Sequence, residues 1–168
     1  MEFSKGVVPF LHVTTRIEGR KDEDLLSRKG GTGFPYFVVL DAQGDVLAQH
    51  NGPRTVEGFQ ATVAKGQEFL DLAAKAAAGD EQAQIQLAFV EAELGRIDYD
   101  TAKKRLEGRT LSAEQSAKLE GLRLTSVIRT HLEKLQQAPR GDATALNAAG
   151  EAFYPFLEAG ATPESGTM

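Results

Sequence analysis

The sequence predicts an α/β front followed by an all-α rear, mostly helical overall, and three observations carry that prediction. Up to about residue 78, Val, Phe, Gly and Pro alternate with turn signals, whereas beyond it Ala, Leu, Glu, Gln and Lys dominate at helical spacing. Two β-rich runs, residues 36–40 and 45–50, flank the short turn Asp41-Ala42-Gln43-Gly44, the pattern of an antiparallel hairpin. Farther on, Ser112 followed by Gln115 has the spacing of a capping box at the start of a long helix. The expected organisation is a front part over residues 1–78, a helical region over 79–160 and a loose tail over 161–168.

Taken in order, residues 7–15 are β-branched and aromatic and predict a strand from about Phe10, with Pro9 confined to its start or to a sheet edge because proline donates no ladder hydrogen bond. Asp22, Glu23 and Asp24 ahead of Leu25 and Leu26 suit the positive N-terminus of a short helix, which Gly30 and Gly31 can stop. Tyr36 to Leu40 is apolar at every position, so this first hairpin strand is expected to be buried on both sides. Thr55 can cap a covering helix that places Val56, Phe59, Val63, Leu70 and Ala73 on one face.

Behind Gly79, residues 81–94 predict a helix with Ile85, Ala88, Phe89 and Ala92 inward and Gly95 as its stop, followed by a helix over 100–106 ending at Gly108, the two forming a helical hairpin. The capping-box helix carries Ala117, Leu124, Ile128 and Leu135 toward a core and reaches about Gln137. Pro139-Arg140-Gly141 makes a break and Asp142 can cap a last helix, which Pro155 should kink or end by removing a backbone donor.

Composition excludes some chemistry outright. None of the 168 residues is cysteine, so the chain cannot perform thiol, disulfide or thiolate–metal chemistry. The formal charge of −5, with Lys and Arg scattered among the acids, offers no basic stripe for phosphates, and nucleic acid is not an expected partner. No run approaches the roughly 20 apolar residues of a membrane-spanning helix, and Met1 is not followed by the pattern of a secretory signal. No cofactor is implied, and no compartment is indicated, because a cysteine-free composition suits any of them.

The order of a strand at 7–15, a short helix, Gly33-Phe34-Pro35, a hairpin and a covering helix resembles the second half of the thioredoxin fold, over about residues 7–75. The most specific stretch is residues 31–46, Gly-Thr-Gly-Phe-Pro-Tyr-Phe-Val-Val-Leu-Asp-Ala-Gln-Gly-Asp-Val, which is similar to that family's Gly-x-Pro loop and the hairpin it enters. The resemblance implies a cis bond between Phe34 and Pro35, and a loop of Gly33, Phe34, Pro35 and Tyr36 lining a groove where an extended peptide adds its backbone. The same loop could equally serve only to turn the chain into a strand, and the residues leave both readings open.

The family's Cys-x-x-Cys, its central strand and the helix that carries the thiols have no counterpart here, which predicts a chain inactive in thiol–disulfide exchange and two sheet edges without partners. The expected compensation is direct pairing of the 7–15 strand with the hairpin, together with rear helices packed over the apolar face. Edge-to-edge pairing of two copies is the further option, and a fragment of a longer redox protein is an alternative account of the missing half. Residues 83–108 are similar to a single tetratricopeptide-type helical hairpin, without a second copy.

Other candidates carry bland readings. His12, His50 and His131 are too far apart in sequence for a metal-ligand motif and are expected to be structural or superficial. Residues 29–33 are glycine-rich but lack phosphate-loop spacing. The serines stand beside no histidine, and no G-x-S-x-G elbow exists. The acidic pairs Glu91 with Glu93 and Asp98 with Asp100 are expected to cap or solvate helices, and Arg140-Gly141-Asp142 to make a cap rather than a recognition tripeptide.

Overall fold

The computed structural model describes residues 6–13, 21–139 and 142–160. Six helices and one two-stranded antiparallel sheet make up the described chain: α1 (Leu25–Arg28), β1 (Val38–Leu40), β2 (Val46–Gln49), α2 (Val56–Ala77), α3 (Glu81–Glu93), α4 (Tyr99–Leu106), α5 (Ala113–Gln137) and α6 (Ala143–Glu158). They group into two compact units, Met1–Arg96 and Ile97–Met168. The tail expected over 161–168 lies outside the described residues, as do Arg140 and Gly141.

In the first unit, α1 forms after the acidic run, but those acids do not cap it: the Asp24 side chain makes no cap bond. Instead Arg28 reaches back to Asp22 at 2.6 Å and Asp24 at 3.1 Å, because a single helical turn has little dipole and its last residue is within reach of both carboxylates. The hairpin forms with Val38 opposite Gln49 and Val39 opposite Ala48, then slips by one residue so that Leu40 faces Val46. The turn is locked from within by Asp41, whose Oδ1 accepts from the backbone N–H groups of Gln43 at 2.9 Å and Asp45 at 2.8 Å.

Three expectations are corrected here. Residues 8–13 form no strand and do not pair with the hairpin; they lie outside the sheet with Val8, Phe10 and Leu11 exposed, since Pro9 supplies no donor and, among the described residues, β1 and β2 pair only with each other. Residues 14 and 15 of that expected strand lie outside the described residues. The buried strand is the second, not the first: Val46, Leu47 and Ala48 are buried, whereas Leu40 is exposed. A strand is buried on both faces only when layers cover both, and the helix packed on β1 is α2, against one face.

The third correction concerns α2. Thr55 caps it as expected, accepting from Gly58 N–H at 3.1 Å. Its buried positions are Thr62, Gly66, Phe69 and Ala76, while Val56 and Leu70 are exposed. The helix is rotated toward its small residues: a Cβ on Gly66 would stand 3.3 Å from Val39 Cγ1 and 3.5 Å from Leu47 Cβ, so glycine sets the distance between helix and sheet.

α3 follows Gly79, capped by Asp80 on Ala83 N–H at 3.0 Å, and buries Ala83, Ile85, Ala88 and Phe89. It packs along α2, aided by Gln84 Nε2 donating to Ala76 O at 3.0 Å. The boundary between units therefore falls at Arg96, later than the composition change near residue 78 and inside the expected α3–α4 hairpin.

The second unit is helical throughout. Asp98 caps α4 on Thr101 N–H at 2.8 Å, and α4 packs on α5 through a small core that includes Ala102 and Leu106. Both arms of the capping box form at α5: Gln115 N–H donates to Ser112 Oγ at 3.1 Å and Ser112 N–H to Gln115 Oε1 at 2.9 Å. Leu122 and Leu124 are both buried although they lie roughly 200° apart around the helix, consistent with α5 packing against α4 and α6 on different sides. Ala117, expected inward, is exposed. Asp142 caps α6, and that helix does not end at Pro155 but runs to Glu158, because a proline in the last turn removes a single hydrogen bond while Phe156 beyond it is buried. Among the described residues, no helix is long and apolar enough to cross a membrane.

Candidate functional site

The loop of Gly33, Phe34, Pro35 and Tyr36 joins α1 to β1, and its Phe34–Pro35 peptide bond is cis. It is fastened at both ends. On the α1 side, Gly31 is buried: a Cβ there would overlap Leu26 Cδ1 and lie 2.9 Å from Tyr36 Cδ1, so only glycine lets the helix end and the tyrosine ring close on each other. On the strand side, the Tyr36 hydroxyl donates to Lys29 O at 2.6 Å, and burial pushes its pKa up from the ordinary tyrosine range. Between these fastenings the loop is at the surface. Phe34 is 69% exposed, Pro35 is exposed, and, its chain neighbours aside, no atom of the described residues lies within 4 Å of a Cβ built on Gly33.

Tyr36 thus faces the chain that precedes it, while Phe37, the next residue, takes part in an aromatic cluster with α2. Its ring meets Phe59 at 5.3 Å and His50 at 6.1 Å, both edge-on, and His50 stacks on Phe59 at 4.3 Å. The Thr62 hydroxyl donates to Gly58 O at 3.1 Å, so its one proton is committed and His50 Nδ1 is the donor in the 2.7 Å bond between them. The other ring nitrogen, Nε2, is a buried atom without a hydrogen-bond partner among the described residues. His50 is therefore a packing and orienting group that ties the end of β2 to α2.

Sequence reasoning missed two arginines. Arg96, just past α3, reaches the hairpin turn: Nη1 donates to Val46 O at 3.1 Å, its guanidinium lies 4.8 Å over the Phe69 ring, and Asp41, Asp45 and Glu91 carboxylates stand at 3.9, 3.7 and 4.0 Å. It holds turn, α2 and α3 together. Arg54 lies over the Phe37 ring at 6.0 Å, beside the candidate loop. Neither was legible as a motif, because each acts on residues brought near only by folding. Of the acidic pairs, Asp98 is a helix cap, and among the described residues no group of three or more His, Asp or Glu is arranged to hold a metal ion.

No family model matches the chain, and neither the curated proteins nor the solved structures include a significant match, so function is read from these residues alone.

Proposed function

We propose that this chain is a thioredoxin-related, cysteine-free module that binds an extended peptide or protein segment at the Gly33–Tyr36 loop and performs no thiol–disulfide chemistry itself. One observation carries the reading: the loop is pinned at Gly31 and at Tyr36 while Gly33, Phe34 and Pro35 between them are exposed. A pre-ordered loop loses little conformational entropy on binding, and an unshielded glycine leaves room for a ligand backbone. The order of α1, loop, antiparallel hairpin and covering α2 supports descent from the thioredoxin fold.

The test is an NMR titration of the whole chain with extended peptides, following the Gly33 and Tyr36 amides. Saturable shifts at these positions are expected; a flat response across a varied peptide set removes the reading. An insulin-reduction assay should give no turnover, since the chain supplies no attacking thiolate.

A second reading, a homodimer formed by pairing strand edges, is favoured by the sheet having only two strands among the described residues. Light scattering should then give a mass above 18.1 kDa, and a strict monomer eliminates it.

A further inference from the structure

We propose that Arg54 and Phe37 form a subsite for a carboxylate side chain, so that the ligand of the Gly33–Tyr36 loop is an extended peptide carrying one Asp or Glu at a set position; this rests on the peptide-binding reading above. Among the described residues, Arg54 is a placed cation without a counter-ion. Its guanidinium sits 6.0 Å over Phe37, a residue 39% exposed whose ring also meets Phe59 and His50 edge-on. Arg28, Arg96 and Arg123 each have a carboxylate within 4.0 Å, whereas Arg54 has none among the described residues. The nearest acid in sequence, Glu57, is occupied at the start of α2, where it accepts from the Thr55 hydroxyl and from its own backbone N–H.

Position supports the assignment. Phe37 follows Pro35 by two residues, and extended chain rises about 3.3 Å per residue, so the subsite begins roughly 7 Å along from the loop. A ligand lying extended on the loop repeats its side chains on one face at that same interval. The guanidinium fork is the group that matches a carboxylate with two parallel hydrogen bonds, and stacking on an aromatic ring leaves its N–H edge free. On a chain of net charge −5, acidic residues elsewhere in a ligand are repelled, so a free guanidinium beside the loop also sets register.

The experiment titrates the full chain with two extended hexapeptides that differ only in Glu against Gln at one position, walked along the peptide, with Gly33, Tyr36 and Phe37 amides as reporters. At one position the Glu peptide should bind about threefold to fivefold tighter, the size of one ion pair at an exposed site. That preference should weaken at high salt and vanish in Arg54→Gln, to which the Glu and Gln peptides should bind alike. Equal affinity of Glu and Gln peptides at every position, with both shifting Gly33 and Tyr36, overturns the acidic subsite and leaves the peptide-binding reading standing. No shift at Gly33 or Tyr36 with any peptide removes both. An unchanged Glu preference in Arg54→Gln also overturns it. So does a wild-type dimer that this substitution dissociates in light scattering, since a second copy is then the occupant.

Discussion

The two units of the chain are held in different ways. In the first, the decisive contacts join positions far apart in sequence: Arg96 to Val46 O and the Asp41–Asp45 turn, His50 to Thr62, and Gly66 against Val39 and Leu47. In the second, the conspicuous polar bonds are local, with Asp98, Ser112 and Asp142 each capping the helix that begins beside it, and Arg123 both paired with Glu120 three residues away and resting on Phe156. Local caps fix where helices begin, while a small sheet under a helix needs bridges from a third element. The first unit should therefore fail cooperatively when one bridge is cut, and the second should lose stability in small, separable steps.

Substitutions rank this contrast. The largest effect is expected from Phe69→Ala, which empties the space between α2 and the Arg96 guanidinium and should destabilise the first unit by about 3–5 kcal/mol. Hydrogen exchange should show β2, α2 and α3 losing protection together while α5 keeps its own; equal loss in α5 would mean the two units unfold as one. Next, Arg96→Ala leaves Asp41, Asp45 and Glu91 without their shared cation and removes the donor to Val46 O, at a cost of about 2 kcal/mol. The readout is exchange at the Gln43 and Asp45 amides, and unchanged protection there would show that the turn's own Asp41 bonds suffice. Ser112→Ala should cost about 1 kcal/mol through the lost cap and lower only the melting of the second unit.

The smallest effects are pH-dependent and run in opposite directions. The Tyr36 hydroxyl has its pKa raised by burial, so its contribution is complete below the ordinary value of 10.0 and is lost as pH rises through the folded value. Asp98 has its carboxyl held below its ordinary 3.8, first by the side-chain bond from Thr101 and then by the Thr101 backbone N–H, so its contribution is present above 3.8 and lost as pH falls through the folded value. The loop before β1 should loosen in alkali and the start of α4 in acid, read as line broadening at Gly33 and at Thr101. Broadening of both at the same extreme would contradict these assignments.

What could be read from residues alone follows the range of the interactions. Thr55, Ser112 and Asp142 announced their helices because a cap is a hydrogen bond within two or three residues of its owner. The hairpin was legible because Asp41 and Gly44 encode their turn in four residues, and the absence of cysteine excluded thiol chemistry without coordinates. The candidate loop was located by its resemblance to a Gly-x-Pro loop, but its fastening at Gly31 and Tyr36 was not legible, nor was Arg54 over Phe37.

Burial, by contrast, was decided by which neighbours exist. Val8, Phe10 and Leu11 have strand-like sequence yet lie outside the sheet, while Val46, Leu47 and Ala48 are buried and Leu40 is not. The face of α2 that leaves water carries Thr62 and Gly66 together with Phe69, because a glycine at the contact lets helix and sheet approach closely. Local hydrogen bonds determine where elements start and turn; only the assembled neighbours determine which of their faces leaves water.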